Sequence, residues 1–552
     1  MAQVQNPVTR ILNLVRLERK EIAAVYFYAI LNGLIVLSLP IGVQAIVGFV
    51  MGASFRASIY VLILLVVAGV LASGLMQINQ MKIIEKIQQR IFVRYAFIFA
   101  ERIPKLDLRK ADALYLPELV NRFFDTGTLQ KSLAKILLEI PTATIQIVFG
   151  LVLLSFYHPT FILFGILLIL LLWLILYYTG SRGLQTSLEE SMYKYRVAGW
   201  LEEIARVVKS IKLAANHDLH LKKTDENVVR YLDARNRHFR ILLFQYRTLV
   251  AFKTIITAAM LLVGSVLLVR QQLNIGQFVA AEIVIITVIN SVEKLIGNLD
   301  SVYDTLTAVD KLAKLTDKPI EENGTFQLPN VPKGLSLEMR HVSFGYSEEK
   351  EVLRGVNLRI DAGEQVCIMG ADGTGKSTLL RLMDGAYTDF KGAITIDGVP
   401  IGNYERNSLR QGIGLLLSQQ DIFNGTLWEN LTMGNESISR QDVIDLVEKA
   451  GLSEFIGSLK QGFDTPLDPT GKRLSRNVSH KILLVRALAT RPRLLLLEDP
   501  WTGMDDRYRS SIIKLLREIG PATVVVISND EEFARQCDKV IRVAPDGTVS
   551  VN

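Results

Sequence analysis

Gly370, Gly375, Lys376 and Ser377 fall in the spacing G-x-x-x-x-G-K-S inside the run Gln365–Met383, QVCIMGADGTGKSTLLRLM. These residue types at this spacing do phosphate chemistry. Glycines let the main chain close around an anion. Successive N–H groups then point inward at the start of a helix, whose partial positive charge favours phosphate. Lys376 brings a point charge to the outer phosphates, and the Ser377 hydroxyl is a ligand for Mg²⁺. The motif carries meaning only between a strand and a helix. Val366–Met369 is a short apolar run of β type, and beyond Lys376 the apolar residues share one helical face. Gly370, Ala371, Asp372, Gly373, Thr374, Gly375, Lys376, Ser377 and Thr378 are therefore read as a nucleotide-binding loop.

A chain of 552 residues exceeds a single hydrophobic core, so two or more domains are expected. Hydrophobic residues make up 49% of it and pile up before about residue 300, as in a membrane protein. Cys367 and Cys537 have no metal-ligand spacing and imply no disulfide framework; Cys367 reads as a small buried residue on the strand entering the loop. The net charge of +7 raises nucleic acid as a partner, but basic residues have a more ordinary task in a membrane chain.

Residues 6–20, with Arg10, Arg16, Arg19 and Lys20, read as an amphipathic helix lying along the inner membrane surface, and no signal peptide is recognisable. Six apolar stretches of spanning length follow, at about 22–48, 57–78, 132–156, 160–180, 246–269 and 276–296. Pro40 and nearby glycines predict a kink in the first, and His158-Pro159 leaves room only for a tight hairpin. The short loops after spans one, three and five hold only Arg56 and Arg270 as basic residues. The segments Lys82–Lys131 and Arg182–Arg247 are rich in Lys and Arg. Positive loops stay in the cytoplasm, so both termini and the phosphate loop are placed there. The charge is thus mostly topology, and no nucleic-acid partner is expected. Both basic segments have helical periodicity, which predicts helices running beyond the bilayer. Polar residues inside the spans include Asn32, Gln44, Gln77, Glu139, Gln146, Lys253, Glu282 and Asn290. Of these, Glu282 is the strongest candidate for lining a pathway.

After the last span comes a helical stretch, SVYDTLTAVDKLAKL, then the Pro- and Gly-containing segment TDKPIEENGTFQLPNVPKG. The expected division is a transmembrane domain over 1–320, a linker over 321–335 and a nucleotide-binding domain over 336–552. From Leu337 the chain alternates strands and helices. Six spans with cytoplasmic extensions followed by such a domain resemble an ATP-binding cassette (ABC) exporter half-transporter. The closest likeness is to type I secretion and peptide exporters, without the N-terminal peptidase domain that some carry. The fold class implied is an α-helical membrane domain of six transmembrane helices joined to a C-terminal α/β P-loop cassette.

The resemblance also implies roles, and here the chain departs from its family. Tyr346 matches the aromatic that stacks on adenine. Ser418 stands where a Mg²⁺-sensing glutamine belongs, and Gln419 could serve only if the loop shifts register. The signature segment that meets the nucleotide of a partner, normally LSGGQ, reads Leu474-Ser475-Arg476-Asn477-Val478, so Ser475, Arg476 and Asn477 are the candidates for that contact. The Asp-Glu pair that ends the next apolar strand is reversed. Glu498 would take the metal role with Ser377 and Gln419, and Asp499 would stand as a shortened catalytic base. Asn529 replaces the histidine that touches the terminal phosphate, and His480 lies elsewhere in the chain. ATP and Mg²⁺ are the implied cofactors. A homodimer or a heterodimer with a second half, the lipid bilayer and a periplasmic adaptor of a secretion system are the implied partners. The expected function is ATP-driven export of a peptide, protein or amphipathic compound across the inner membrane, with weakened hydrolysis. The alternative is a non-hydrolysing, ATP-gated or scaffolding component of a secretion assembly.

Overall fold

The computed structural model describes residues 6–52, 57–112, 115–214, 218–347, 350–418, 420–467 and 474–551. Arg56 and Gln419 lie outside the described residues. The chain forms two compact units, Met1–Lys105 with Tyr115–Pro319 and Leu106–Leu114 with Ile320–Asn552.

The first unit is helical. Six of its described helical segments are long and apolar enough to cross a membrane: Arg19–Met51, Ala57–Lys105, Leu116–Tyr157, Thr160–Arg206, Leu219–Val269 and Ile275–Thr316. About 20 residues suffice for a crossing. Helices of 46, 47 and 51 residues therefore extend well past one, as their charged periodic ends require. The amphipathic helix Pro7–Leu17 starts at Asn6, whose side chain accepts from the Val8 N–H. Glu18 breaks it from the first long helix. Glu18 is 2% exposed, a burial its charge tolerates because Arg90 and Arg94 meet it at 3.0 and 2.8 Å. Pro40 sits inside the first long helix, and His158, in an extended conformation, ends the helix Asp125–Tyr157 before Thr160 opens the next.

Most polar groups in the spans find partners on neighbouring helices, as groups withdrawn from water must. The Ser73 hydroxyl donates to Asn32 at 2.5 Å, Tyr157 to Gln44 at 2.6 Å and Ser291 to Gln146 at 2.8 Å. Lys253 pairs with Glu293 at 3.0 Å, and Glu139 accepts from the Asn298 amide at 2.8 Å. Glu282 differs, since its buried Oε1 has no hydrogen-bond partner among the described residues.

The second unit is built on two sheets. A six-stranded sheet has the order Val549–Val551, Lys539–Val543, Gln365–Met369, Thr523–Ile527, Leu494–Glu498, Ile413–Leu416, and all but the first strand run parallel. Its inner strands are apolar throughout because both faces are covered: Leu494, Leu495, Leu496 and Leu497 are wholly buried. An antiparallel sheet places Leu337–Phe344 between Leu353–Ile360 and Lys391–Ile396, with Val399–Pro400 beyond. The segment read as a linker is tied into this unit. Gly324 and Phe326 donate backbone hydrogen bonds to Tyr404 and Asn403, and Arg410 holds Glu321 through two bonds of 2.8 and 2.5 Å.

Candidate functional site

The strand Gln365–Met369 lies between two parallel neighbours, Thr523–Ile527 and Lys539–Val543, so its C-terminal end is held from both sides. There the chain must reverse within six residues into the helix Lys376–Met383. Glycine is required at two places. Gly375 has φ +102°, and Gly373 has φ +80°, both left-handed values. A Cβ on Gly375 would also sit 3.0 Å from Val352. The loop that results folds Lys376 back over itself: Nζ donates to the carbonyls of Gly370 at 2.6 Å and Ala371 at 2.7 Å. The Thr374 hydroxyl closes on the Ala371 carbonyl at 2.9 Å.

Beside this loop is a cavity of about 370 Å³ lined by Tyr346, Val352, Asp372, Gly373, Gly375, Lys376, Ser377, Thr378, Arg381, Ser418, Glu498, Asp499 and Ile527. Ser377 and Glu498, 121 positions apart, meet here, the hydroxyl donating to Oε1 at 2.5 Å. The other carboxylate oxygen of Glu498 accepts from the Ser418 N–H at 2.9 Å. A hydroxyl and a carboxylate beside a phosphate cradle are the hard oxygen donors that Mg²⁺ takes, so these residues fit that ion.

Asp499 follows the strand end in a left-handed conformation, φ +45°, which few side chains adopt. Its N–H donates to the Ile527 carbonyl at 2.9 Å. Burial holds its carboxyl above the usual carboxylate range and the adjacent Glu498 adds to this, while Lys376 pulls the other way. Tyr346 is half exposed, and its hydroxyl lies 2.9 Å from that of Thr378, next to Ser377.

Several further side chains surround the site. Asn529 turns its amide oxygen to the N–H of Gly370 at 3.2 Å, and so braces the loop. Tyr387 stacks on Phe344 at 5.1 Å and meets Tyr346 edge-on at 5.8 Å. Its hydroxyl receives a hydrogen bond from Arg381 and donates one to Asp112, both at 2.7 Å. Asp112 ends the short helix Leu108–Asp112, which belongs to this unit although it comes from the first long basic loop. Arg109 on the same helix pairs with Asp389 and lies over the Phe344 ring at 5.3 Å. Residues so distant in sequence give no local signal of meeting.

The signature candidates stand apart from the cavity. Ser475 is the cap of the helix Arg476–Ala489, accepting from the Val478 N–H at 3.2 Å. Ser475 and Arg476 are exposed, and the buried Oδ1 of Asn477 has no partner among the described residues. None of the three lines the cavity. His480, three residues beyond Asn477, does reach the site, at the main chain of Asp499.

Two family models match the chain. The ABC transporter transmembrane region model covers residues 22–292, and the ABC transporter model covers 353–502. This chain belongs to the ABC transporter family.

Among its relatives, the ABC transporter ATP-binding protein YwjA of Bacillus subtilis is 26% identical over 461 residues, 80% of each chain. The transport/processing ATP-binding protein ComA of Streptococcus pneumoniae is 26% identical over 77% of this chain and 59% of its own length. The cyclolysin secretion/processing ATP-binding protein CyaB of Bordetella pertussis is 28% identical over 62% of this chain and 48% of its own. In fold, the transporter superposes on a bacterial Atm1-family ABC exporter with ATP bound, with a TM-score of 0.83 at 21% identity, covering 96% of this chain and 94% of that one. The transporter is thus a multi-pass membrane protein of the exporter fold with a fused ATP-binding domain.

Proposed function

We propose that the transporter is one half of a dimeric exporter that binds MgATP in its own phosphate loop and hydrolyses it slowly. Its cargo would be a peptide, a protein or an amphipathic compound crossing the inner membrane. The secretion and processing names of ComA and CyaB support the first two.

The observation that carries the reading is the pair at the end of the strand Leu494–Glu498. Glu498 reaches the Ser377 hydroxyl and takes the metal position, which leaves Asp499 as the carboxylate next in line toward the cavity. An aspartate there is one methylene shorter than the glutamate of the family. Its oxygens stop more than about one ångström short of the water they should activate, and well-placed proton acceptors contribute roughly 10²–10⁴-fold. Asn529 points the same way. Its side-chain oxygen is engaged by Gly370, whereas the family histidine reaches the terminal phosphate. Mg²⁺, held by Ser377 and Glu498, would neutralise phosphate charge. Lys376 would move from its loop carbonyls to the outer phosphates, and Tyr346 would stack on the base.

The basic segments after spans two and four support a cytoplasmic location for both termini and the ATP site. In a dimer the exposed Ser475 and Arg476 would face the nucleotide of the other half. The test is turnover of the reconstituted transporter alone and with a second, motif-complete half. Low turnover alone that rises with the partner supports the reading. Ordinary exporter rates from this chain alone would refute the weakened hydrolysis.

A further inference from the structure

Among the described residues His480 is the histidine that reaches the site, and its role is not that of the missing phosphate contact. Its Nε2 lies 3.0 Å from the main-chain oxygen of Asp499. A carbonyl only accepts, so Nε2 must carry the proton and donate. Burial lowers the imidazole pKa below its ordinary value, against the pull of the backbone hydrogen bonds to Asp499 and Pro500.

What the bond holds is unusual. Asp499 has φ +45°, a conformation a non-glycine residue keeps only when its surroundings impose it. Three bonds impose it here. The Asp499 N–H donates to Ile527 at 2.9 Å, and the Asp499 carbonyl accepts from the Thr502 N–H at 3.1 Å. Both are main-chain bonds that any sequence can make. The third, from His480, is the side-chain contribution. His480 sits one turn after Arg476 on the helix Arg476–Ala489, and Asn477 on the same helix packs 3.9 Å from where a Cβ of Gly503 would be. The first turns of this helix therefore touch the turn after Glu498 at two points.

We infer that His480 is a positioning residue for Asp499: its Nε2–H fixes the left-handed turn and with it the direction in which the Asp499 carboxylate enters the phosphate cavity. The helix that begins at the signature segment thereby aims the carboxylate of its own chain through one hydrogen bond. Any displacement of that helix reaches the Asp499 backbone directly. This deepens the proposed function and rests on Asp499 facing the terminal phosphate.

The test uses the full-length transporter in lipid nanodiscs with His480→Ala and His480→Gln, the latter offering an amide donor of similar reach. Two measurements are made. Amide exchange by mass spectrometry follows the Asp499 and Thr502 N–H groups, and ATP titration with turnover gives Kd, KM and kcat. In His480→Ala, exchange over 499–504 should speed up ~5- to 10-fold, the worth of one hydrogen bond, while Gln365–Met383 stays as protected as in the parent. Kd and KM should stay within about twofold and kcat should fall about tenfold, since only aim is lost. His480→Gln should recover most of both effects. Unchanged exchange over 499–504 in His480→Ala overturns the inference, as does a Gln variant that binds ATP yet behaves like Ala. Should the parent show no turnover at all, the slow hydrolysis of the proposed function falls, and the exchange measurement alone decides the role of His480.

Discussion

Lys376 makes two short bonds to the carbonyls of its own loop, and in the proposed ATP site these would give way to phosphate oxygens. Lys376→Ala is expected to weaken ATP binding by at least ~10-fold, the loss of one charge-assisted contact, with the fold intact by thermal unfolding. The loop was legible in the sequence because its chemistry sits in nine consecutive residues whose types have few other uses. The reversed Glu498-Asp499 pair was legible for a similar reason, since it ends an apolar run whose register is set by four leucines. Less could be read elsewhere. Ser418 was placed by counting, and the structure finds its main-chain N–H, not its side chain, on Glu498. His480 gives no sequence signal of a role here, since it lies 19 positions from Asp499 and on another element. Only the packing of helix on strand end brings the two together.

The elements around the loop carry their own signs. Asp384 closes the helix Lys376–Met383 and is 8% exposed, with Arg410, Arg406 and Glu321 as its charged neighbours. Burial pushes its carboxyl up to about 6, against the pull of the two arginines. An acid whose folded value lies above its unfolded one favours the fold when protonated. Its contribution is therefore full below about pH 4 and is lost as pH rises through about 6. Asp384→Asn removes that loss. It should add on the order of 1–3 kcal/mol of stability at pH 7.5, read as a higher apparent Tm, with the gain vanishing as pH falls below about 4. A thermal unfolding series against pH measures both.

The helix Leu108–Asp112 offers a second element-scale check. Tyr387→Phe deletes the hydroxyl shared by Arg381 and Asp112, next to the ring that supports Tyr346. It should cost about 1 kcal/mol of stability and weaken ATP binding a few-fold, as read by unfolding and titration of one preparation. This arrangement was not legible, because residues 106–114 read as part of a long basic loop of the membrane domain. Packing assigns them to the ATP-binding unit instead.

For the whole molecule, hydropathy carried most of the architecture: six spanning segments are long apolar helices, and the phosphate loop lies in an α/β unit after them. The bilayer admits few other solutions for such stretches, which is why so simple a signal suffices. Cargo left no comparable trace. In the spans, Asn32, Gln44, Gln146, Glu139 and Lys253 mostly join helix to helix, while Glu282 keeps a buried oxygen without a partner among the described residues. The central claim is that this molecule retains the parts that hold ATP and has blunted the parts that cut it. The most direct measurement is ATP binding and turnover by the reconstituted full-length chain beside its Asp499→Glu variant. The account predicts equal affinity in the two, with turnover low in the parent and at least ~10-fold higher in the variant. A parent that already hydrolyses at the rate of the variant would contradict it.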